Sequence, residues 1–166
     1  MKSNHKKFVF LSLFFIGSLL IIWGCGIYSF SGSNLPSHIK TVAVPLFENE
    51  TPEFGIDQEL TDGVIEKITH DNTLKITQNR SADSIIKGKI LRVVDRAGQY
   101  NKDEKASSFR VTITVDVSFV DLKKRKTIWQ ATWSQWGDYT DNRDEGIREA
   151  IDKLSVDILN KTVSGW

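Results

Sequence analysis

The sequence predicts an α+β fold: a two-layer sandwich with a mixed or antiparallel sheet of about four to five strands and two helices packed on one face. The predicted elements follow the order strand, helix, short strand, three strands, helix. Each helix has one apolar stripe, and one central strand alternates strictly between apolar and polar residues. Two amphipathic helices can cover the apolar face of a sheet only if both lie on it, so the opposite face is left to solvent or a partner.

The first predicted passage is a strand, a helix and a second, short strand. Ile39–Phe47 is apolar enough for an interior strand, and Pro45, which has no N–H for a ladder, is expected to end it or to place it at an edge. After the polar segment 48–55, four apolar residues step by four along one helical face: Ile56, Leu60, Val64 and Ile68. A short strand over 74–77 would then complete a right-handed parallel crossover.

Three longer strands are predicted next. Ile85–Tyr100 loses its alternation near 90–92, which predicts a bulge there. Phe109–Val120 alternates without a break and should have one buried and one solvated face. Thr127–Trp136 returns beside it as a long antiparallel hairpin.

The predicted hairpin is followed by a loop over 137–142 and by the last helix. Five apolar residues form the stripe of this helix: Ile147, Ala150, Ile151, Leu154 and Ile158. Asp144 and Glu145 lie in its first turn, where the helix dipole favours acids.

The first 24 residues have the organisation of an export signal. Lysines precede an apolar run over 8–22, and the small Gly24 precedes Cys25, the only cysteine of the chain. A cysteine at this point resembles a bacterial lipobox, which predicts that Cys25 is lipidated and becomes the mature N-terminus. The alternative is an uncleaved anchor helix, because about 20 apolar residues span a bilayer. Both interpretations place the remaining chain outside the cytoplasm.

These signals divide the chain into a lipoprotein signal peptide (1–24), a lipidated tether (25–38) and one domain (39–166). Of 22 basic and 21 acidic residues, three lysines lie in the leader, so the mature chain has a net charge of −2. This balance argues against a nucleic-acid partner, which selects strongly basic domains. No cysteine follows Cys25, which excludes disulfides and thiolate metal sites.

The sequence contains no motif typical of catalysis. There is no His-Glu-x-x-His, no Gly-x-Ser-x-Gly and no phosphate-binding glycine loop. His38 and His70 have no evident third ligand, so we expect no metal and no cofactor. The acids Glu48, Glu50 and Glu53 are of a type used in acid–base chemistry, but on a polar connection they favour a solvated loop. A non-enzymatic protein is therefore predicted.

Two constellations suit binding. Lys123, Lys124, Arg125 and Lys126 form a turn of four cations. Such a turn either is solvated and protects strands from aggregation, or contacts the phosphates of a lipid head group. Aromatic residues crowd the following strand: Trp129 and Trp133 are expected in the core, whereas the opposite parity of Trp136 predicts exposure.

The chain resembles the LptE family of outer-membrane lipoproteins, which act in lipopolysaccharide assembly. The resemblance is carried by Cys25-Gly26, Tyr28–Ser33, Leu35-Pro36, His38–Pro45, Phe47–Asn49 and Thr51, and more loosely by Phe54-Gly55, Leu60–Asp62, Ala82-Asp83 and Gly88. It implies a small sheet with two helices on one face. It also implies two partners, the LptD-type β-barrel that such proteins plug and help assemble, and lipopolysaccharide itself.

The resemblance further implies attachment to the outer membrane through the N-terminal lipid, on the periplasmic side or within the barrel lumen. Gly26 after the lipidated cysteine is consistent with that sorting. Only Cys25 is carried over as a site, and lipopolysaccharide binding by Lys123–Lys126 is a separate hypothesis from the charge pattern. Other envelope scaffold lipoproteins, of the curli-secretion type or activators of peptidoglycan synthases, share the Val-Ala-Val-Pro strand and remain the alternative.

Overall fold

The computed structural model describes residues 35–98 and 108–164. The leader, Cys25, most of the tether and the predicted loop over 101–107 lie outside the described residues. The elements of the described parts, in chain order, are β1 (Thr41–Ala43), β2 (Glu48–Asn49), α1 (Ile56–Asp71), β3 (Lys75–Ile76), β4 (Ser84–Ala97), β5 (Phe109–Asp121), β6 (Lys126–Tyr139) and α2 (Arg143–Val163).

The strands form one mixed sheet in the order β3-β1-β4-β5-β6, with β2 also paired to β4. β1 runs parallel to β3 and β4, whereas β4, β5 and β6 form antiparallel pairs. With both helices on one face, the predicted α+β sandwich is confirmed, and its sheet of six strands is slightly larger than expected.

The prediction of a single strand over Ile39–Phe47 is wrong. Two short strands form instead, and both pair with β4: β1 with the first residues of β4 and β2 with its middle. Pro45 between them has no N–H to donate. The N–H of Phe47 instead donates to Thr61 Oγ1 in α1 at 3.1 Å, so this segment is tied to the helix layer.

The long hairpin of β5 and β6 is confirmed, and so is the bulge in β4, which falls between Ile90 and Arg92. The loop predicted over 137–142 is wrong at its start, because β6 continues to Tyr139. Gly137 is what allows the strand to pass under α2: a Cβ there would lie 1.9 Å from the carbonyl oxygen of Gly146.

The core lies between the sheet and the helices. All the apolar residues predicted for the two helix stripes are buried, as are Val111, Ile113, Val115, Val117 and Phe119 of β5. Asn142 begins α2 by accepting a hydrogen bond from the Asp144 N–H at 3.2 Å, and Asn72 ends α1 in the left-handed region at φ 61°. The outer sheet face carries polar pairs such as Thr114 and Ser134, whose hydroxyls are 2.8 Å apart.

Candidate functional site

The turn between β5 and β6 is held by a buried carboxylate. Asp121 Oδ1 accepts the N–H of Lys124 at 2.9 Å, and Asp121 Oδ2 lies 2.6 Å from His38 Nε2. Burial raises the pKa of Asp121, but these hydrogen bonds outweigh it and leave the pKa below its ordinary value. Arg125 takes the left-handed conformation at φ 51°, which closes the turn.

The four predicted cations of this turn have different surroundings. Lys123 Nζ lies 2.6 Å from Asp83 Oδ1, and the pKa of Asp83 is held well below its usual range by Lys123 and by the N–H groups of Lys40 and Thr41. The side chains of Lys124, Arg125 and Lys126 are exposed and make no ion pair with any residue in the described ranges. The turn thus displays three cations on a backbone that Asp121 holds in place, while Asp83 pairs with the fourth cation, Lys123.

At the opposite end of the hairpin, Arg143 binds two carboxylates. Its guanidinium donates to both oxygens of Glu53 at 2.8 and 2.9 Å and to both oxygens of Asp95 at 2.9–3.1 Å. The Tyr139 hydroxyl donates to Asp95 at 2.8 Å. Hydrogen bonding by Arg143 lowers the pKa of Asp95, and the two carboxylates raise that of Arg143. This cluster joins α2, β4, β6 and the loop before α1.

Trp136 is 42% exposed, as its parity in β6 predicted. Trp129 is buried as predicted, whereas Trp133, also expected in the core, is only partly buried. Two cations lie near the Trp136 ring centroid, Arg110 at 5.2 Å and Lys153 at 5.3 Å. Arg110 also forms two hydrogen bonds with Asp138, at 2.6 and 2.9 Å. Cations are therefore already in contact with this ring, and the pair with Asp138 neutralises one of them.

The acidic residues considered for acid–base chemistry are each paired with a cation. Glu48 and Glu50 lie 3.3 and 3.0 Å from Lys89 Nζ, and Glu53 binds Arg143. Residues 35–98 and 108–164 contain no cluster of three or more side chains able to hold a metal ion. Over the same ranges, none of the helices has the length and apolar character needed to cross a bilayer.

Sequence reasoning missed the Arg143 cluster, because its members are separated by 48 and 90 residues and meet only once the sheet has formed. It also missed the contact between Asp83 and the basic turn. A signal for the first was the position of Arg143, directly after the capping Asn142 and thus at the fixed start of a helix.

The described residues form a small α+β domain with one mixed sheet and two helices. A family model described as LptE, Lipopolysaccharide-assembly, matches residues 39–162, about three quarters of the chain. The chain therefore belongs to the LptE family of lipopolysaccharide assembly, as the resemblance predicted.

Solved structures share the fold at low sequence identity. A hypothetical protein from Chlamydia trachomatis has a TM-score of 0.58 at 10% identity, covering 74% of this chain and 95% of its own. A PelC dodecamer from Paraburkholderia phytofirmans has a TM-score of 0.56 at 14% identity, covering 79% of this chain and 94% of its own. A protein from Xanthomonas campestris has a TM-score of 0.55 at 9% identity, covering 74% of this chain and 83% of its own. No curated protein sequence matches the chain significantly.

Proposed function

We propose that this chain is a non-enzymatic outer-membrane lipoprotein that plugs an LptD-type β-barrel, helps it assemble and assists lipopolysaccharide transport to the cell surface. The observation that carries the proposal is the family match over residues 39–162. Glu48, Glu50 and Glu53, the acids considered for acid–base chemistry, are instead engaged in ion pairs with Lys89 and Arg143.

The partner can be tested by purifying the lipidated protein from detergent-solubilised membranes. Recovery of a large heat-modifiable β-barrel in about equal amount supports the proposal. Recovery of a penicillin-binding protein without a barrel would instead favour a peptidoglycan-synthase activator and overturn it.

The anchor in this proposal is Cys25, and the proposed division is a signal peptide over 1–24, a lipidated tether over 25–38 and one domain over 39–166. The apolar run followed by Gly24-Cys25 supports it. Two or more acyl chains are expected, since one chain anchors only marginally. Intact mass of the membrane protein should show a chain that begins at an acylated Cys25, and a lipid-free chain retaining Met1 would contradict the anchor.

The lipopolysaccharide contact in this proposal is the basic turn, Lys123–Lys126. Asp121 and Asp83 hold its backbone and Lys123, which leaves the three remaining cations displayed at one tip. Clustered Lys and Arg side chains suit phosphate groups, and lipopolysaccharide carries several of these. Each exposed ion pair contributes only about 0–1 kcal/mol, so binding requires the cluster and not one residue.

The turn can be tested with a triple variant, Lys124→Gln, Arg125→Gln and Lys126→Gln, which leaves the pair between Lys123 and Asp83 intact. We expect weaker binding of purified lipopolysaccharide and a flatter dependence on salt.

The matched control, Arg92→Gln, Arg96→Gln and Arg148→Gln, removes the same charge from exposed positions away from the turn. This control should bind nearly as well as the wild type. Equal losses in both variants would show that only net charge matters and would return the turn to a solvated loop.

A further inference from the structure

Phe54 is an apolar side chain held entirely in solvent. Its relative exposure is 101%, whereas the next most exposed large apolar residue in the described ranges, Leu46, has 54%. Leaving a phenylalanine in water forgoes the favourable burial of a large ring. A single exposed apolar residue is ordinary on a mobile loop, so the conformation of its loop is what decides its significance.

The loop before Phe54 is closed by its own hydrogen bonds. Asn49 Oδ1 accepts the N–H of Thr51 at 2.9 Å and its hydroxyl at 2.7 Å. Asn49 Nδ2 donates to the carbonyl of Glu53 at 2.6 Å, and the N–H of Glu53 donates to Thr51 Oγ1 at 3.2 Å. One side chain in β2 thus fixes both ends of the segment that leads to Phe54.

The residues on both sides of Phe54 are fixed to the rest of the domain. Glu53 is bound through both carboxylate oxygens to Arg143. Gly55 adopts φ 79°, a conformation that favours glycine, and Ile56 is buried at the start of α1. The aromatic ring is therefore presented on a preorganised backbone, which lowers the entropy lost when it binds.

The surroundings of Phe54 are acidic. A small cavity beside it is lined by residues from the starts of both helices: Glu53, Phe54, Ile56, Glu59, Asp144 and Ile147. Asp57 and Glu145 lie in the same first turns, where the helix dipoles favour them. The nearby cation Arg143 is occupied by Glu53 and Asp95.

We propose that Phe54 is the anchor of a protein–protein interface and enters an apolar pocket of a partner protein whose rim is basic. Rigid aromatic residues at the centre of a contact commonly dominate its binding energy. The acidic surroundings select the partner: an anionic membrane surface would repel this end, and a second copy would place acids against acids. The proposal rests on the proposed function for the identity of that partner, a β-barrel.

A photo-crosslinking amino acid, p-benzoylphenylalanine, placed at position 54 of the full lipidated chain tests this contact. It resembles the phenylalanine it replaces and, at an exposed position, should not disturb the fold. Irradiation of membranes should link position 54 to the barrel, at a site that peptide mapping places among apolar residues flanked by Lys or Arg. The same group at Ile76, exposed at the β3 edge, should give little of that product.

The outcomes separate this inference from the proposed function. If the barrel co-purifies but position 54 links only to lipid, to another copy of the chain or to nothing, the inference is overturned and the function stands. If no barrel co-purifies and position 54 links instead to another protein at a basic-rimmed apolar site, the function fails and the interface stands.

Substitutions give a second test with the same material. Phe54→Ser should lower recovery of the barrel at least tenfold and leave the melting temperature unchanged, because the side chain buries nothing within the domain. Leu46→Ser, the matched exposed control, should leave recovery near the wild-type level. Recovery that is equal for Phe54→Ser and the wild type would overturn the inference.

Discussion

The two ends of the β5–β6 hairpin are built on opposite electrostatic plans. They are about 40 Å apart, since β5 has 13 residues that rise about 3.3 Å each. At the turn, Asp121 accepts the N–H of Lys124 and Asp83 pairs with the side chain of Lys123, while the other three cations are displayed. At the far end, Arg143 binds two carboxylates, and an apolar ring is displayed beside the acids at the starts of both helices. At each end a buried or half-buried charged residue, Asp121 or Arg143, fixes the local structure. The displayed side chains are the exposed ones beside it.

This difference means that one small domain presents two chemically distinct surfaces at the two ends of its hairpin. By charge, a phosphate-rich ligand would be attracted to the turn and repelled from the far end. A protein with a basic rim has the reverse preference. Such a division would let a plug hold its barrel and contact an anionic lipid at the same time.

The largest effect should come from breaking the far end at Gly137. Gly137→Ala would place a Cβ 1.9 Å from the carbonyl oxygen of Gly146, so the start of α2 must move. We expect a loss of about 3 kcal/mol or more in the free energy of unfolding, at the upper end for overpacking. Urea melts measure it. The control Ser134→Ala, on the outer face of the same strand, should cost far less, and equal losses would show that β6 and α2 are not in close contact.

A smaller loss is expected from Arg143→Met, which leaves Glu53 and Asp95 facing each other without a cation. Breaking a buried pair costs about 3–5 kcal/mol, but Arg143 is 33% exposed, so about 1–2 kcal/mol is expected. Arg143→Lys keeps the charge without the planar fork and should recover only part of this. Hydrogen exchange should quicken in the Asn49–Gly55 loop and not in the basic turn. Equally faster hydrogen exchange at both ends of the hairpin would contradict the structural independence of the two ends.

The pH dependence of that loss shows whether it arises from the ionised carboxylates or from packing. Arg143 lowers the pKa of Asp95 in the folded state, so the stabilisation is fully present above the ordinary aspartate pKa of about 3.9 and is lost as the pH falls through the folded value. The difference in unfolding free energy between the wild type and Arg143→Met should therefore narrow from pH 5 to pH 2.5. A difference that stays constant would mean that Arg143 acts through packing alone.

The sequence predicted what depends on local periodicity. The stripe of α1, the alternation of β5 and the bulge at Ile90–Arg92 each leave a pattern within about a dozen residues, and each is confirmed. The sequence-based predictions were wrong where the end of a strand depends on contact with an element distant in the chain. The end of β6 depends on how Gly137 meets Gly146, and Pro45 alone did not reveal that the chain would pair with β4 twice.

The candidate sites divide in the same way. The four adjacent cations can be recognised from the sequence alone, but the ion pair between Lys123 and Asp83 is seen only in the structure. Phe54 was visible only as part of a family resemblance. The position of its ring depends on the hydrogen bonds of Asn49 and on the ion pair between Arg143 and Glu53. No residue spacing in the sequence predicts these contacts.

The smallest effect on stability is expected at the basic turn. In Lys124→Gln, Arg125→Gln and Lys126→Gln together, the lost side chains are exposed and the bonds to Asp121 come from the backbone and His38. The unfolding free energy should change by less than about 1 kcal/mol. Circular dichroism and urea melts check this, and a large loss would mean that these cations serve the fold and not a ligand.

The most direct test measures both ends in one experiment. Lipopolysaccharide affinity and recovery of the barrel are determined for the wild type, for the triple turn variant and for Phe54→Ser. If the two ends serve different partners, the turn variant loses lipopolysaccharide affinity and keeps the barrel, whereas Phe54→Ser loses the barrel and keeps lipopolysaccharide affinity. Two variants that each lose both activities in equal measure would contradict the division of the molecule into two binding ends.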